Sequence, residues 1–228
     1  MKTFLIVFLL FISSFSYAQI KVEVKDFSDD YYAVISVPDT DAISKPGMVT
    51  VYNKKSGDKL IEVKFKGDAL ELRWGKIVDN VRELPYEKQS FIVYQDFNFD
   101  SVKEFALLDG FKGCNSLPSY QVFLADSGKF IPNPGLTELT QNYCGMFQVD
   151  NEKKIIRTMR KEENLWTEYS EHTFENDTLK LISITTEDYS ISDRYVYIAT
   201  QKLVDGKWTK TVSKKKVKDF YKENSQPK

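Results

Sequence analysis

Three observations predict an all-β domain. Short runs of alternating apolar and polar residues recur along the chain, with turn-forming residues between them. Phe and Tyr are abundant, at 16 and 13 of 228 residues, which suits pleated, half-buried strands better than helices. No long segment places apolar residues at three- and four-residue steps; only 136–142 has room for one or two helical turns.

The elements run in order along the chain. Residues 20–25 alternate. Residues 31–37 are rich in β-formers and stop at Pro38, which has no amide to continue a ladder. Runs 48–53 and 59–65 flank Lys54-Lys55-Ser56-Gly57-Asp58, a hairpin turn by composition. Residues 69–73 read as a short strand. Residues 90–95 lead into an acidic loop, and the chain emerges as a strand at 105–108. Runs 120–124 and 129–131 flank Asp126-Ser127-Gly128, a second hairpin turn. Runs 154–159, 165–174, 178–185 and 194–204 come next, and Asp205-Gly206 forms a tight turn before 207–212. The residues after Phe220 read as a polar, frayed end. A sandwich, a barrel or a small propeller would accommodate these strands, and periodicity does not choose among them. The absence of a clean internal repeat argues against a solenoid.

The N-terminus predicts export. Lys2 precedes the unbroken apolar run 4–12, and small residues Ser16 and Ala18 stand at the −3 and −1 positions for cleavage before Gln19. Residues 1–18 therefore read as a signal peptide, 19–222 as a single all-β domain and 223–228 as a flexible polar tail. The apolar run is short for a bilayer-spanning anchor, the competing reading. The expected location is periplasmic or secreted. The formal net charge of −1 gives no global reason to expect a nucleic-acid partner, and no later segment reaches transmembrane length. In an oxidising compartment the two cysteines, Cys114 and Cys144, are expected to pair; two separate buried thiols are the alternative.

One stretch carries recognisable chemistry. In Asp96-Phe97-Asn98-Phe99-Asp100-Ser101-Val102-Lys103-Glu104, oxygen-bearing side chains stand at positions one, three, five and nine. A loop with that spacing can curl around a hard cation such as Ca2+, with the Val102 carbonyl adding an oxygen at position seven. Its phenylalanines would then anchor the loop in the core. Ser101 stands where glycine usually makes the sharp turn, and Glu104 is longer than the commoner aspartate. The competing reading is a loop held by Asx-type hydrogen bonds without metal.

This loop resembles that of the periplasmic proteins with an integrin-like (FG-GAP-like) calcium loop, and so does the ordered series of segments on its C-terminal side. Those segments are Phe105-Ala106, Pro118-Ser119-Tyr120-Gln121-Val122-Phe123-Leu124, Gly128-Lys129-Phe130, 136–139 and Gly145-Met146-Phe147. That family includes inhibitors and immunity proteins directed against lysozyme-like peptidoglycan hydrolases. The resemblance covers about 91–210. It implies a β-propeller-like fold, a structural calcium ion held by Asp96, Asn98, Asp100, the Val102 carbonyl and Glu104, and no catalytic residues.

Such an inhibitor must fill a long sugar-binding cleft, and a rigid exposed loop does so at low entropic cost. Segment 112–120 has the composition for it: Lys112, Asn115, Ser119 and Tyr120 as contact residues, Pro118 for stiffness, and Cys114 as a staple to Cys144. A plain connecting loop, with Tyr120 opening a strand, is the competing reading. The acidic tract 162–188 and the lysines at 214–216 read as solvated strand faces and edge protection. His172 has no partners in a recognisable catalytic motif, and Trp74, Trp166 and Trp208 read as core or rim. The expected function is inhibition of a peptidoglycan hydrolase by loop insertion. The alternative is a glycan- or peptidoglycan-binding module with a structural calcium site, and an enzyme is the least supported class.

Overall fold

The computed structural model describes residues 19–40, 45–68, 70–163, 165–175 and 178–224. The expected signal peptide lies outside these residues, as does the end of the expected tail, 225–228. The chain is all-β, as its periodicity predicts, in three open sheets.

The first sheet contains β1 (Ile20–Val24), β2 (Tyr31–Val37), β3 (Lys45–Asn53), β4 (Lys59–Gly67), β5 (Lys76–Val78) and β6 (Val81–Glu83). Their order is β4-β3-β2-β1-β6-β5, antiparallel except for the parallel pair of β1 and β6. The alternation of β4 becomes one buried face, with Ile61, Val63 and Phe65 inward and Glu62 and Lys64 between them outward. The second sheet is a four-stranded meander of β7 (Ile92–Gln95), β8 (Glu104–Gly110), β9 (Ser119–Asp126) and β10 (Lys129–Pro132). Every residue of β8 is buried, as expected for a strand covered on both faces. Phe105 on β8 joins the two sheets, lying 4.7–6.0 Å from the ring centres of Tyr94, Phe130, Tyr31 and Phe27.

Helix α1 (Pro134–Asn142) closes the second sheet. Asn133 caps it through Oδ1, which accepts from the Leu136 amide at 2.9 Å, and Pro134 opens the first turn. Its threonines serve the part of β9 that β10 does not reach. Thr140 Oγ1 accepts from the Tyr120 amide at 2.9 Å, and Thr137 Oγ1 accepts from the Val122 amide at 3.0 Å.

The third sheet is a six-stranded meander of β11 (Gln148–Asp150), β12 (Ile155–Glu162), β13 (Trp166–Glu175), β14 (Thr178–Asp188), β15 (Tyr195–Val204) and β16 (Lys207–Lys216). Helix α2 (Val217–Asn224) folds back from β16 and buries Phe220. The tight turns at Ser127-Gly128 and Asp205-Gly206 have both central residues at positive φ, which suits the twist of a two-residue hairpin.

Two expectations are corrected. The segment predicted as a strand at 69–73 forms a 3-10 turn, Leu70–Trp74, started by Asp68 Oδ1 accepting from the Leu70 amide. The polar end expected after Phe220 is helical to Asn224, because Val217, Phe220 and Tyr221 share one helix face and Phe220 and Tyr221 pack against Tyr189. The expected all-β class holds at the level of three open sheets of six, four and six strands among the described residues.

Candidate functional site

The acidic loop connects β7 to β8 and is tied down at both ends. Gln95 pairs with Glu104 across the two strands, and Phe97 is fully buried with its ring 5.6 Å from Phe147. Phe99 packs 6.2 Å from Phe174, so both phenylalanines anchor the loop as expected. Asp96 accepts through Oδ1 from the Phe99 amide at 2.7 Å and through Oδ2 from the Ser101 amide at 3.0 Å. Asp100 accepts from the Val102 amide at 2.7 Å, and Asn98 Oδ1 accepts from the Asp100 amide at 3.2 Å. Phe99 and Ser101 both adopt left-handed backbone, at φ 68° and 69°.

Glu104 is the unusual member. It is 0 % exposed, and Oε2 accepts from the Phe97 amide at 2.7 Å. Among the described residues its Oε1 makes no hydrogen bond of good geometry, although the Ala125 amide lies near enough to favour the charged form. Burial pushes its carboxyl up to about 7; the Phe97 and Ala125 amides oppose this, and Asp100 and Asp96 add to it. A buried carboxylate with one unsatisfied oxygen and two acidic neighbours is a costly arrangement that a cation would relieve. Among the described residues, however, no three His, Cys, Asp or Glu side chains converge closely enough to cage a metal by themselves. Asn98 and the Val102 carbonyl complete the expected donor set.

The second candidate feature is the loop from Phe111 to Pro118. Cys114 is disulfide-bonded to Cys144, as their occurrence as a pair predicts. The Cys114 amide donates to the Tyr143 carbonyl at 3.0 Å, and the Cys144 amide donates to Met159 O at 2.7 Å, so the staple reaches the third sheet. Gly113 has no space for a side chain, because a Cβ would lie 2.9 Å from Tyr143 O and 3.0 Å from Leu117 O. Asn115 and Ser116 turn the tip with φ of 54° and 57°.

The structure redistributes the expected contact residues. Asn115 is exposed at the tip, beside Ser116 and Leu117. Ser119 and Tyr120 are corrected: both are buried and belong to β9. The Tyr120 hydroxyl donates to the Ser90 carbonyl at 2.9 Å, and burial pushes its pKa up to about 12. Lys112 is exposed, but its ammonium donates to Asp109 Oδ2 at 2.6 Å. Sequence reasoning missed Asp109, which also accepts from Ser119 Oγ at 2.5 Å and from Gln141 Nε2 at 3.0 Å. It holds the root of the loop to α1. The Asp109-Gly110 pair after a strand was the only local signal for it.

The remaining candidates have structural places. His172 is buried with its ring 6.2 Å from Tyr143, and burial lowers its pKa. Arg160 lies over the Trp166 ring, while Trp74 is exposed on the rim of the first sheet. In the acidic tract, Glu171 pairs with Arg157 and Glu175 with Lys180. No helix among the described residues is long and apolar enough to cross a membrane.

No protein-family model matches the chain, and no curated protein does. A solved structure described as that of a Xanthomonas Type IV secretion system related protein is similar in fold, with a TM-score of 0.61 and 17% sequence identity. The similarity covers 86% of this chain and 94% of that one, so the two share an architecture over nearly their whole lengths.

Proposed function

We propose that this is an exported, calcium-binding β protein that inhibits a lysozyme-like peptidoglycan hydrolase through the stapled loop 111–118. The observation that carries the calcium part is the buried Glu104, whose Oε1 makes no hydrogen bond of good geometry among the described residues and lies in a loop with the oxygen spacing of a hard-cation site. Asp96, Asn98, Asp100, the Val102 carbonyl and Glu104 would hold the ion, and its role would be to fix the loop before β8. The disulfide and the secretion-system description of the structural neighbour support export. The exposed, cross-linked tip at Asn115, Ser116 and Leu117 suits insertion into a cleft, because little conformational entropy remains to be lost. In this reading the three sheets correspond to blades of an incomplete propeller, and the chain performs no chemical step of its own.

Two measurements test the proposal. Calorimetric titration with CaCl2 should show saturable uptake that Asp96→Ala and Asp100→Ala abolish. In a turbidity-clearing assay, the exported protein should protect cell walls from at least one lysozyme-like hydrolase, and Asn115→Ala should weaken that protection. Absence of calcium uptake would remove the metal site. Failure to protect against a broad panel of hydrolases, with calcium and with chelator, would remove the inhibitor role.

A further inference from the structure

One face of the third sheet is a trough that hydrolase inhibition leaves unused. Cross-strand register places Arg157, Glu171, Ser183 and Lys202 in one row. The next row along the strands is Met159, Tyr169, Thr185 and Thr200, and Lys161 and Glu187 stand two residues further on. Two recesses, of about 400 Å³ and 560 Å³, open on this face and share Tyr169. One end is walled by the Cys144-Gly145-Met146 segment, fixed by the disulfide. The other is walled by α2, where Tyr189 stacks on Tyr221 at 6.2 Å. From Ser183 to Tyr189 the floor runs about 20 Å at strand spacing.

The lining selects a class of ligand. Arg157 is held by Asp150 and Glu171, each at 3.1 Å, so its charge is already balanced and a polyanion gains little there. Arg157, Lys161 and Lys202 together are matched in number by Asp150, Glu171 and Glu187, so the trough has no net charge to attract a polycation either. Large apolar side chains are few, so an amphipathic helix has no stripe to bury. What the floor offers is hydroxyls. Thr185 and Thr200 bond each other at 3.2 Å, while the nearly buried Ser183 hydroxyl forms no hydrogen bond among the described residues. Tyr169, 41 % exposed, stands where the recesses meet, and Tyr189 and Tyr221 lie at the far end. Spaced aromatic rings over a hydroxyl-lined floor suit a chain of hydroxyl-rich rings with apolar faces.

We infer that this trough binds an uncharged oligosaccharide lying along β13 and β14, with one sugar face on Tyr169 and sugar oxygens hydrogen-bonded to the Ser183 hydroxyl and the Lys202 ammonium. The site is separate from the loop tip at Asn115 and does not depend on hydrolase inhibition. Calorimetric titration of the exported protein with chitotetraose and with cellotetraose tests it, alongside an uncharged tetrapeptide. Saturable binding of at least one saccharide is expected, weakened about tenfold by Tyr169→Ala and retained in Tyr169→Phe. Lys202→Ala, at an exposed residue whose loss should leave folding intact, is expected to weaken binding severalfold, whereas Asn115→Ala should not change it. The inference is overturned if neither saccharide saturates by about 10 mM. It is also overturned if only the tetrapeptide binds, or if Tyr169→Ala and Lys202→Ala both leave saccharide binding intact.

Discussion

The first two sheets bury branched aliphatic side chains and phenylalanine, whereas much of what the third buries carries a hydroxyl. Around β8 the buried set is Phe91, Phe97, Phe105, Leu107 and Leu108, all at 2 % exposure or less. In the third sheet the buried set includes Thr158, Thr167, Ser170 and Ser183; among the described residues Ile156 is its one fully buried member of the main apolar cluster, with Val149, Phe174 and Leu179 packed against it. Apolar burial scales with area and needs no direction, so it holds the first region by mass of contact. The second region depends on ladder hydrogen bonds, side-chain pairing and a covalent staple. The difference teaches how one chain can leave a sheet face open: a face lined with hydroxyls tolerates water that a phenylalanine face would expel.

The largest expected effect tests that contrast directly. Phe105→Ala removes the ring shared by four aromatic neighbours and should cost about 3–5 kcal/mol. Ser170→Ala, at an equally buried position of β13, gives up only a hydroxyl contact to Glu168 and should cost about 1 kcal/mol. Urea denaturation measures both. Equal losses would break the contrast.

The staple comes next. Cys114 and Cys144 close a loop with a separation of 30 residues, for which chain entropy predicts about 3–4 kcal/mol of stabilisation. The double variant Cys114→Ser/Cys144→Ser should lower the melting temperature accordingly. It should also speed hydrogen exchange of the residue 144 amide, which in the parent bonds Met159 O, more than that of the Leu108 amide, which bonds Phe91 O. Uniform acceleration would mean that the bond steadies the whole chain rather than the seam with the third sheet.

The same contrast explains what the sequence revealed. The run 31–37 coincides with β2 because five of its seven residues are strong β-formers and a proline follows. Strands β5, β6 and β11 escaped notice because three residues are too few to display a period. Alternation in Leu70-Glu71-Leu72-Arg73-Trp74 fits a strand as well as the 3-10 turn that Asp68 starts. The loop 96–104 was legible because its chemistry is local and regularly spaced. The burial of Tyr120 was not, since it depends on Thr140, twenty residues later, taking its amide, and on Ser90 accepting its hydroxyl. The trough was invisible for a related reason: Arg157, Tyr169, Ser183 and Lys202 come together only through the register of four strands.

A smaller effect separates the regions by pH. Burial keeps His172 neutral and lowers its pKa below the ordinary 6.5, so the unfolded chain binds the proton more readily than the folded one. The stability His172 contributes is therefore present above pH 6.5 and lost as pH falls toward its folded value. The raised carboxyls of Glu104 and Glu187 titrate with the opposite sign, so the readout is a difference between proteins. His172→Phe should lose less stability than the parent between pH 6.5 and 5 in urea melts. Parallel curves would show that the imidazole is protonated without cost.

The smallest expected effect lies in the acidic loop. Ser101 holds φ at 69° in an exposed position, a conformation that an L-residue adopts at a cost and glycine adopts freely. Its hydroxyl forms no hydrogen bond among the described residues; its role there is the amide that Asp96 Oδ2 accepts, and glycine keeps that amide. Ser101→Gly also loosens the unfolded chain, which offsets part of the gain. The net result should be about 0.5–1 kcal/mol of added stability, measured by urea denaturation in chelator. If the loop wraps calcium, the easier turn should also tighten calcium uptake in the calorimeter, because less strain accompanies closure around the ion. A Ser101→Gly protein that is less stable than the parent would show that the left-handed turn is not strained, and that the hydrogen-bonded form of the loop already satisfies residue 101.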